Sequence, residues 1–283
     1  MRIVVLGAKG RLGRALCQVL PADAIALGRD AADLTKPAEL RQTLTAHAPQ
    51  VVINAAGYTD VDRAELEPKI AFAVNGMAMR DLATICRDLD CTLVHFSTDY
   101  VFGVDASRDT PYNETDKPGP INRYGRTKLD GEMFVRNLCK KHFLLRSGPL
   151  YGSDGPRSDY VSTLLADAAM SKPIRAVTDQ TCTPTFVLDL ANVVPSLLRS
   201  DSFGLYHVTN AGACTWHEFA QAVLAIRGID VPVTAMTTQE FGAKAMRPRY
   251  SVLDCGKWTS TGFAPLRPWR DALTAALIPG PAS

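Results

Sequence analysis

Long hydrophobic runs are missing from this 283-residue chain: the apolar stretch that opens it, Ile3-Val4-Val5-Leu6, stops at Gly7 and Lys9. That is too short for the core of a secretory signal, and no later stretch is apolar for long enough to cross a bilayer. A soluble, cytoplasmic protein with no membrane partner is expected. An excess of charge of one sign is missing too, since 31 Lys and Arg face 29 Asp and Glu without any basic block. Such a balance provides no electrostatic footprint for nucleic acid. The seven cysteines are odd in number and contain no Cys-x-x-Cys, so dispersed free thiols are expected. Cys86, Cys91 and Cys139 read as core or helix residues, and the five histidines have no metal-ligand spacing, so no metal is expected. No internal repeat interrupts the chain, and only the Pro/Ala-rich end from Pro279 reads as frayed.

What is present is alternation. Short apolar runs at Ile3–Leu6, Ala24–Leu27, Val51–Asn54, Thr92–Phe96 and Phe143–Arg146 are separated by helical patterns near Leu12–Leu20, Pro37–His47, Lys69–Leu89 and Tyr124–Lys140. Strands that read as apolar throughout, joined by helices, predict a mainly parallel sheet covered on both faces, an α/β fold of doubly wound, Rossmann type. Beyond Ser147 the alternation weakens, with a loop over Gly152–Pro156, helical patterns at Ser158–Met170 and Thr215–Ile226, and a strand at Leu205–Val208. We read a change of domain there, from a first domain over 1–147 to a smaller second one.

The first strand runs straight into Gly7-Ala8-Lys9-Gly10-Arg11-Leu12-Gly13 and then a helix. Strand, glycine turn and helix N-terminus together can hold a pyrophosphate on backbone N–H groups. Gly7 permits the tight turn, Gly10 close approach of phosphates, and Gly13 packing of helix on strand. The spacing is Gly-x-x-Gly-x-x-Gly, one residue longer than the commonest dinucleotide fingerprint.

The second candidate is Tyr124-Gly125-Arg126-Thr127-Lys128. At the start of a helix, Tyr124 and Lys128 share one face. A cation beside the phenol is expected to lower its pKa by roughly 1–3 units and make it a usable proton donor. Such a donor suits a reaction in which hydride reaches a carbonyl carbon and the oxygen takes up a proton.

Together these elements resemble the extended short-chain dehydrogenase/reductase superfamily. Asn54-Ala55-Ala56-Gly57-Tyr58-Thr59-Asp60-Val61-Asp62, Phe96-Ser97-Thr98-Asp99-Tyr100-Val101-Phe102, Pro111-Tyr112-Asn113-Glu114, Gly204-Leu205-Tyr206-His207 and Arg247-Pro248 with Ser251 narrow it. They are similar to the dTDP-4-dehydrorhamnose reductase family over nearly the whole chain. The resemblance implies reduction of a C4 keto group on a nucleotide sugar, with the segment around 180–200 returning to the first domain, so that a dinucleotide-binding domain over 1–147 interleaves with an α/β substrate domain over 148–179 and 201–283. It implies Thr98, Tyr124 and Lys128 as catalytic residues, Lys128 also binding the nicotinamide ribose and Asn75 supporting the site.

For the cofactor it implies Gly7, Gly10, Arg11, Leu12, Gly13, Asp33, Leu34, Ala55, Ala56 and Tyr58. For the sugar and its phosphates it implies Thr59, Asp99, Tyr100, Gln180 and Arg247. At the end of strand two, Arg29 would accept the 2′-phosphate of NADPH, whereas Asp30 beside it keeps NADH possible. The chain departs from the family at Pro149, where an aromatic residue commonly flanks the sugar; Tyr151 or Tyr100 would have to cover that face. It departs again at Ala15 and Leu188, where some members carry acids that bridge a dimer through a metal. A monomer or homodimer without such a bridge is expected.

Overall fold

The computed structural model describes residues 1–152 and 159–278. Of the expected features, most of the loop after Gly152 and the end from Pro279 lie outside them. Six strands build the main sheet: β1 (Ile3–Leu6), β2 (Ile25–Leu27), β3 (Val51–Asn54), β4 (Thr92–Thr98), β5 (His142–Ser147) and β6 (Gly204–His207). Their order is β2-β1-β3-β4-β5-β6, and every pairing is parallel. The strands are apolar throughout because both faces are covered. Ile3 and Val5 join one apolar cluster with Leu12, Ala15 and Leu16 of α1 (Arg11–Val19). Val4 and Leu6 join the other with Leu40 and Leu44 of α2 (Pro37–His47).

After the short helix α3 (Val61–Leu66) the expected single helix over Lys69–Leu89 is an interrupted one, α4, made of Pro68–Phe72, a π-turn at Ala73–Met77 and Ala78–Asp88. Then follows α5 (Arg123–Leu138), whose N-cap Asn122 accepts a hydrogen bond from the Gly125 N–H at 2.7 Å.

The late strand was expected in the second domain. Instead it is β6, paired with β5 from Gly204↔Phe143 to His207↔Arg146. It covers what would be an open sheet edge, and its Leu205 and Tyr206 enter opposite clusters. The helix Val187–Asn192 packs Val187, Leu190 and Ala191 into the α1 cluster, with Ala15 fully buried and Leu188 against it. A third apolar cluster, around Val161, Leu164, Phe219 and Trp269, forms the second lobe. Among the short ladders of that lobe are Ile174–Val177 with Val233–Met236 and Thr181–Cys182 with Cys214–Thr215. Neither ladder was expected from the sequence.

Candidate active site

The chain leaves β1 toward β2 on one side and reaches β3 on the other, so a crevice opens outside the carboxyl ends of β1 and β3. Gly7, with φ +75°, lies against the β3 exit so closely that a Cβ there would come within 2.7 Å of the Ala56 nitrogen. At Gly13 a Cβ would meet the Gly7 carbonyl oxygen at 2.1 Å, so only glycine lets α1 start this close to the turn. Gly10 is the N-cap of α1 and offers no side-chain cap. A Cβ on it would meet only the Gly7 oxygen, at 3.2 Å. This cradle of backbone at a helix N-terminus fits a dinucleotide pyrophosphate. Arg11 reaches Asp159 at 3.5 Å, and Leu12 is buried in the core.

At the end of β2 the Arg29 side chain is 82% exposed and its Nε bonds Asp33 at 3.1 Å. Lys9 from the glycine turn holds Asp30 at 2.9 Å. Asp33 also accepts from the Thr35 N–H and hydroxyl, and Leu34 is core. At the β3 exit Ala55 donates its N–H to the Leu6 carbonyl at 3.0 Å. The Asn54 side chain accepts from the Ala56 N–H at 3.1 Å.

Thr98 is the last residue of β4 and Tyr124 stands in the first turn of α5. Burial pushes the Tyr124 phenol up to about 12, while its hydrogen bond with the Thr98 hydroxyl pulls the other way. The expectation that Lys128 lowers this pKa is therefore corrected. The Lys128 ammonium is turned to the Phe96 carbonyl, to which it donates at 2.6 Å. Burial lowers Lys128 itself to about 8, opposed by the Glu132 carboxylate. Thr98 has a local duty as well, accepting from the Tyr100 N–H at 3.1 Å and donating to Asp99 at 3.0 Å. Asn75, inside the π-turn, clamps Tyr58: its side chain accepts from the Tyr58 N–H and donates to the Tyr58 carbonyl, both at 2.9 Å. The same amide donates to Thr127 on α5 at 3.2 Å.

The expected sugar residues divide. Tyr100 is half-buried with its ring edge-on to Tyr124, centroids 6.1 Å apart. Thr59 is exposed. Asp99 does not line an open pocket: it is 1% exposed and its second oxygen accepts from Ser251 of the C-terminal segment at 2.6 Å. Burial raises its carboxyl to about 6. Gln180 is buried and donates to Thr238 at 2.9 Å. Arg247 makes a two-pronged ion pair with Asp62 of α3, at 2.9 and 2.8 Å, and also reaches the Tyr100 hydroxyl. Tyr151 cannot cover a sugar, because it is 2% exposed and packed on Phe186 and Phe219.

Sequence reasoning missed a buried network beneath these residues: Ser97, Glu132, Arg146 and His207, none more than 6% exposed. The signal was there, since a charge inside the apolar run Phe143-Leu144-Leu145-Arg146 demands a buried partner.

Residues 1–279 match the family model of the RmlD substrate binding domain. The dTDP-4-dehydrorhamnose reductase of Streptomyces griseus is 38% identical, the match covering 99% of this chain and 97% of the relative. This chain belongs to the dTDP-4-dehydrorhamnose reductase family. Within it, the dTDP-4-keto-6-deoxy-D-glucose reductase of Streptomyces niveus is 35% identical, over 97% of this chain and 96% of that one. The family member from Bacillus anthracis, a dTDP-4-dehydrorhamnose reductase crystallised with NADP, superposes with a TM-score of 0.94 at 34% identity, covering 99% of both chains.

Proposed function

We propose that this chain is an NADPH-dependent oxidoreductase that reduces dTDP-4-dehydro-β-L-rhamnose to dTDP-β-L-rhamnose at C4. The observation that carries the reading is the meeting of Thr98 and Tyr124 at the carboxyl end of β4, beside the glycine cradle, in a chain of this family. A bound reduced nicotinamide supplies the hydride. Gly7, Gly10, Arg11, Leu12 and Gly13 hold the pyrophosphate, with Asp33, Leu34, Ala55, Ala56 and Tyr58 along the rest of the cofactor. Arg29 takes the 2′-phosphate; Asp30, which would favour NADH, is already engaged by Lys9.

Thr98 orients the C4 carbonyl oxygen by turning its one hydroxyl hydrogen from Asp99 to that oxygen. As negative charge develops there, Tyr124 Oη delivers its proton, which is downhill because an alkoxide is a stronger base than a phenolate. A phenol held at about 12 is present in its neutral, donating form throughout the neutral range. Lys128 steadies the phenolate left behind and the cofactor ribose. Asp99 aims Thr98, and Tyr100, Thr59, Gln180 and Arg247 face the nucleotide sugar. The substrate lobe is 148–179 with the segments after β6, and 180–200 returns to the first domain. The enzyme works in the cytoplasm as a monomer or homodimer.

Pro149 and the buried Tyr151 favour a second reading, a different 4-keto deoxysugar on the same nucleotide. A non-catalytic regulatory role is disfavoured by the presence of Thr98, Tyr124 and Lys128 together. NADPH oxidation measured against a panel of 4-keto nucleotide sugars separates the three: turnover of the rhamnose precursor first supports the reading, turnover of another sugar alone supports the second, and none supports the regulatory role.

A further inference from the structure

Three consecutive residues of β4 each receive one group from α5. The Phe96 carbonyl takes the Lys128 ammonium at 2.6 Å, the Ser97 hydroxyl donates to Glu132 Oε1 at 2.5 Å, and Thr98 bonds Tyr124. Tyr124, Lys128 and Glu132 are spaced by four, so they form one stripe along the helix. Glu132 is 0% exposed and anchored from below by Arg146 of β5, whose Nε donates to Oε1 at 2.9 Å and whose Nη2 donates to Oε2 at 2.7 Å. Arg146 is held in turn: Nη1 lies 3.3 Å from His207 Nε2, and the guanidinium sits over the Phe102 ring at 5.1 Å. His207 Nδ1 lies 3.0 Å from the Tyr112 carbonyl, which can only accept, so Nδ1 carries the hydrogen and Nε2 accepts from Arg146.

We propose that Glu132 is a positioning residue for Lys128, fixing the place of the ammonium on the β4 edge and balancing its charge, with Ser97 and Arg146 holding the carboxylate in place. This rests on the reductase reading, in which Lys128 steadies the tyrosine and the ribose. The Glu132 carboxylate, one turn along the same face, favours the charged form of Lys128 in opposition to its burial. The other titratable or charged groups packed around Lys128 do not replace it. Tyr124 on the same helix is neutral, His95 of β4 is held neutral by burial and by Lys128 itself, Asp99 beyond β4 is hydrogen-bonded to Thr98 and Ser251, and Arg146 is a cation.

The test is NMR titration of Lys128 in protein carrying ¹³C-labelled lysine, its signal identified by loss in Lys128→Met, for the parent and for Glu132→Gln. The amide preserves shape and a bond to Ser97 but removes the charge. We expect the Lys128 midpoint to fall by about one unit, and the alkaline limb of kcat to move to lower pH by the same amount, the scale of one close ion pair. An unchanged midpoint overturns the proposal, as does an equal loss of kcat at every pH without a shift. Should Glu132→Gln fail to fold, Glu132→Asp retains the charge at shorter reach. A midpoint near the parent's with lowered kcat supports the proposal, and parental kcat overturns it. Because the titration needs no substrate, a parent that binds cofactor but turns over no sugar sinks the reductase reading alone.

Discussion

In the mechanism we propose, a tyrosine that burial holds near 12 and a lysine that burial brings to about 8 divide the labour of one proton transfer. The first stays loaded, and the second loses its charge within reach of ordinary buffers. Tyr124→Phe, which removes only the hydroxyl, should lower kcat by roughly 10²–10⁴-fold, the usual range for a general acid. Parent-like turnover in steady-state assays would remove Tyr124 from the chemistry. The sign of the pH dependence follows from Lys128: it is charged below about 8, so kcat should decline as pH rises through that value and hold steady below it. Arg29→Ala should raise the KM for NADPH by about tenfold, the scale of one charge-assisted hydrogen bond, and leave the KM for NADH alone. Equal changes for both cofactors would mean that Arg29, exposed and bonded to Asp33, serves the loop. The placement of Tyr124 and Lys128 one turn apart on α5 was legible in the sequence because spacing on a helix face is preserved in the fold, and that of Thr98 because an apolar run ends there. The direction of the Tyr124 shift was not, because it depends on where the Lys128 side chain points and on how deeply both are packed.

Elements were legible wherever both faces of a strand or one face of a helix had to be apolar, as in β1, β3 and α2. The π-turn in α4 and the placement of β6 were not. The first is set by backbone hydrogen bonds that no residue type marks, and the second is decided by which sheet edge is vacant. One tight joint is the start of α1. Gly13→Ala puts a methyl group where the Gly7 carbonyl oxygen already stands, so the helix must shift away from the turn. We expect a lower melting temperature and a loss of cofactor affinity of at least tenfold by fluorescence titration, since a displacement of the N-terminal turn misaligns the backbone donors. Unchanged affinity would place the pyrophosphate somewhere other than this turn.

Across the whole molecule the two lobes are tied at the active site by Asp99 with Ser251 and by Asp62 with Arg247. The Arg247 guanidinium holds the Asp62 carboxyl below the usual carboxylate range. If Arg247 also grips the substrate phosphates, Asp62→Asn should tighten dTDP binding in calorimetry while Arg247→Ala weakens it; unchanged affinity in both would make the pair a structural tie. Stability should fall on acidification. Burial lowers His207 to about 3 and His95 well below its ordinary value, so as pH drops below about 6.5 the unfolded chain takes up protons that the fold refuses. Asp99, raised to about 6, acts in the opposite sense and offsets part of that loss between about 6 and 4. Melting curves should therefore show a steeper acid loss in Asp99→Asn than in the parent, and parallel slopes would contradict this assignment.

The central claim is a proton from Tyr124 and a hydride from NADPH delivered to C4 of a dTDP-bound sugar. Incubating the parent and Tyr124→Phe with dTDP-4-dehydro-β-L-rhamnose and C4-deuterated NADPH, and reading the product by NMR, tests it most directly. The account predicts dTDP-β-L-rhamnose carrying deuterium at C4 from the parent and at least a hundredfold less from the variant, in line with loss of a general acid. Product from both at similar rates, or NADPH left intact by the parent, would contradict it.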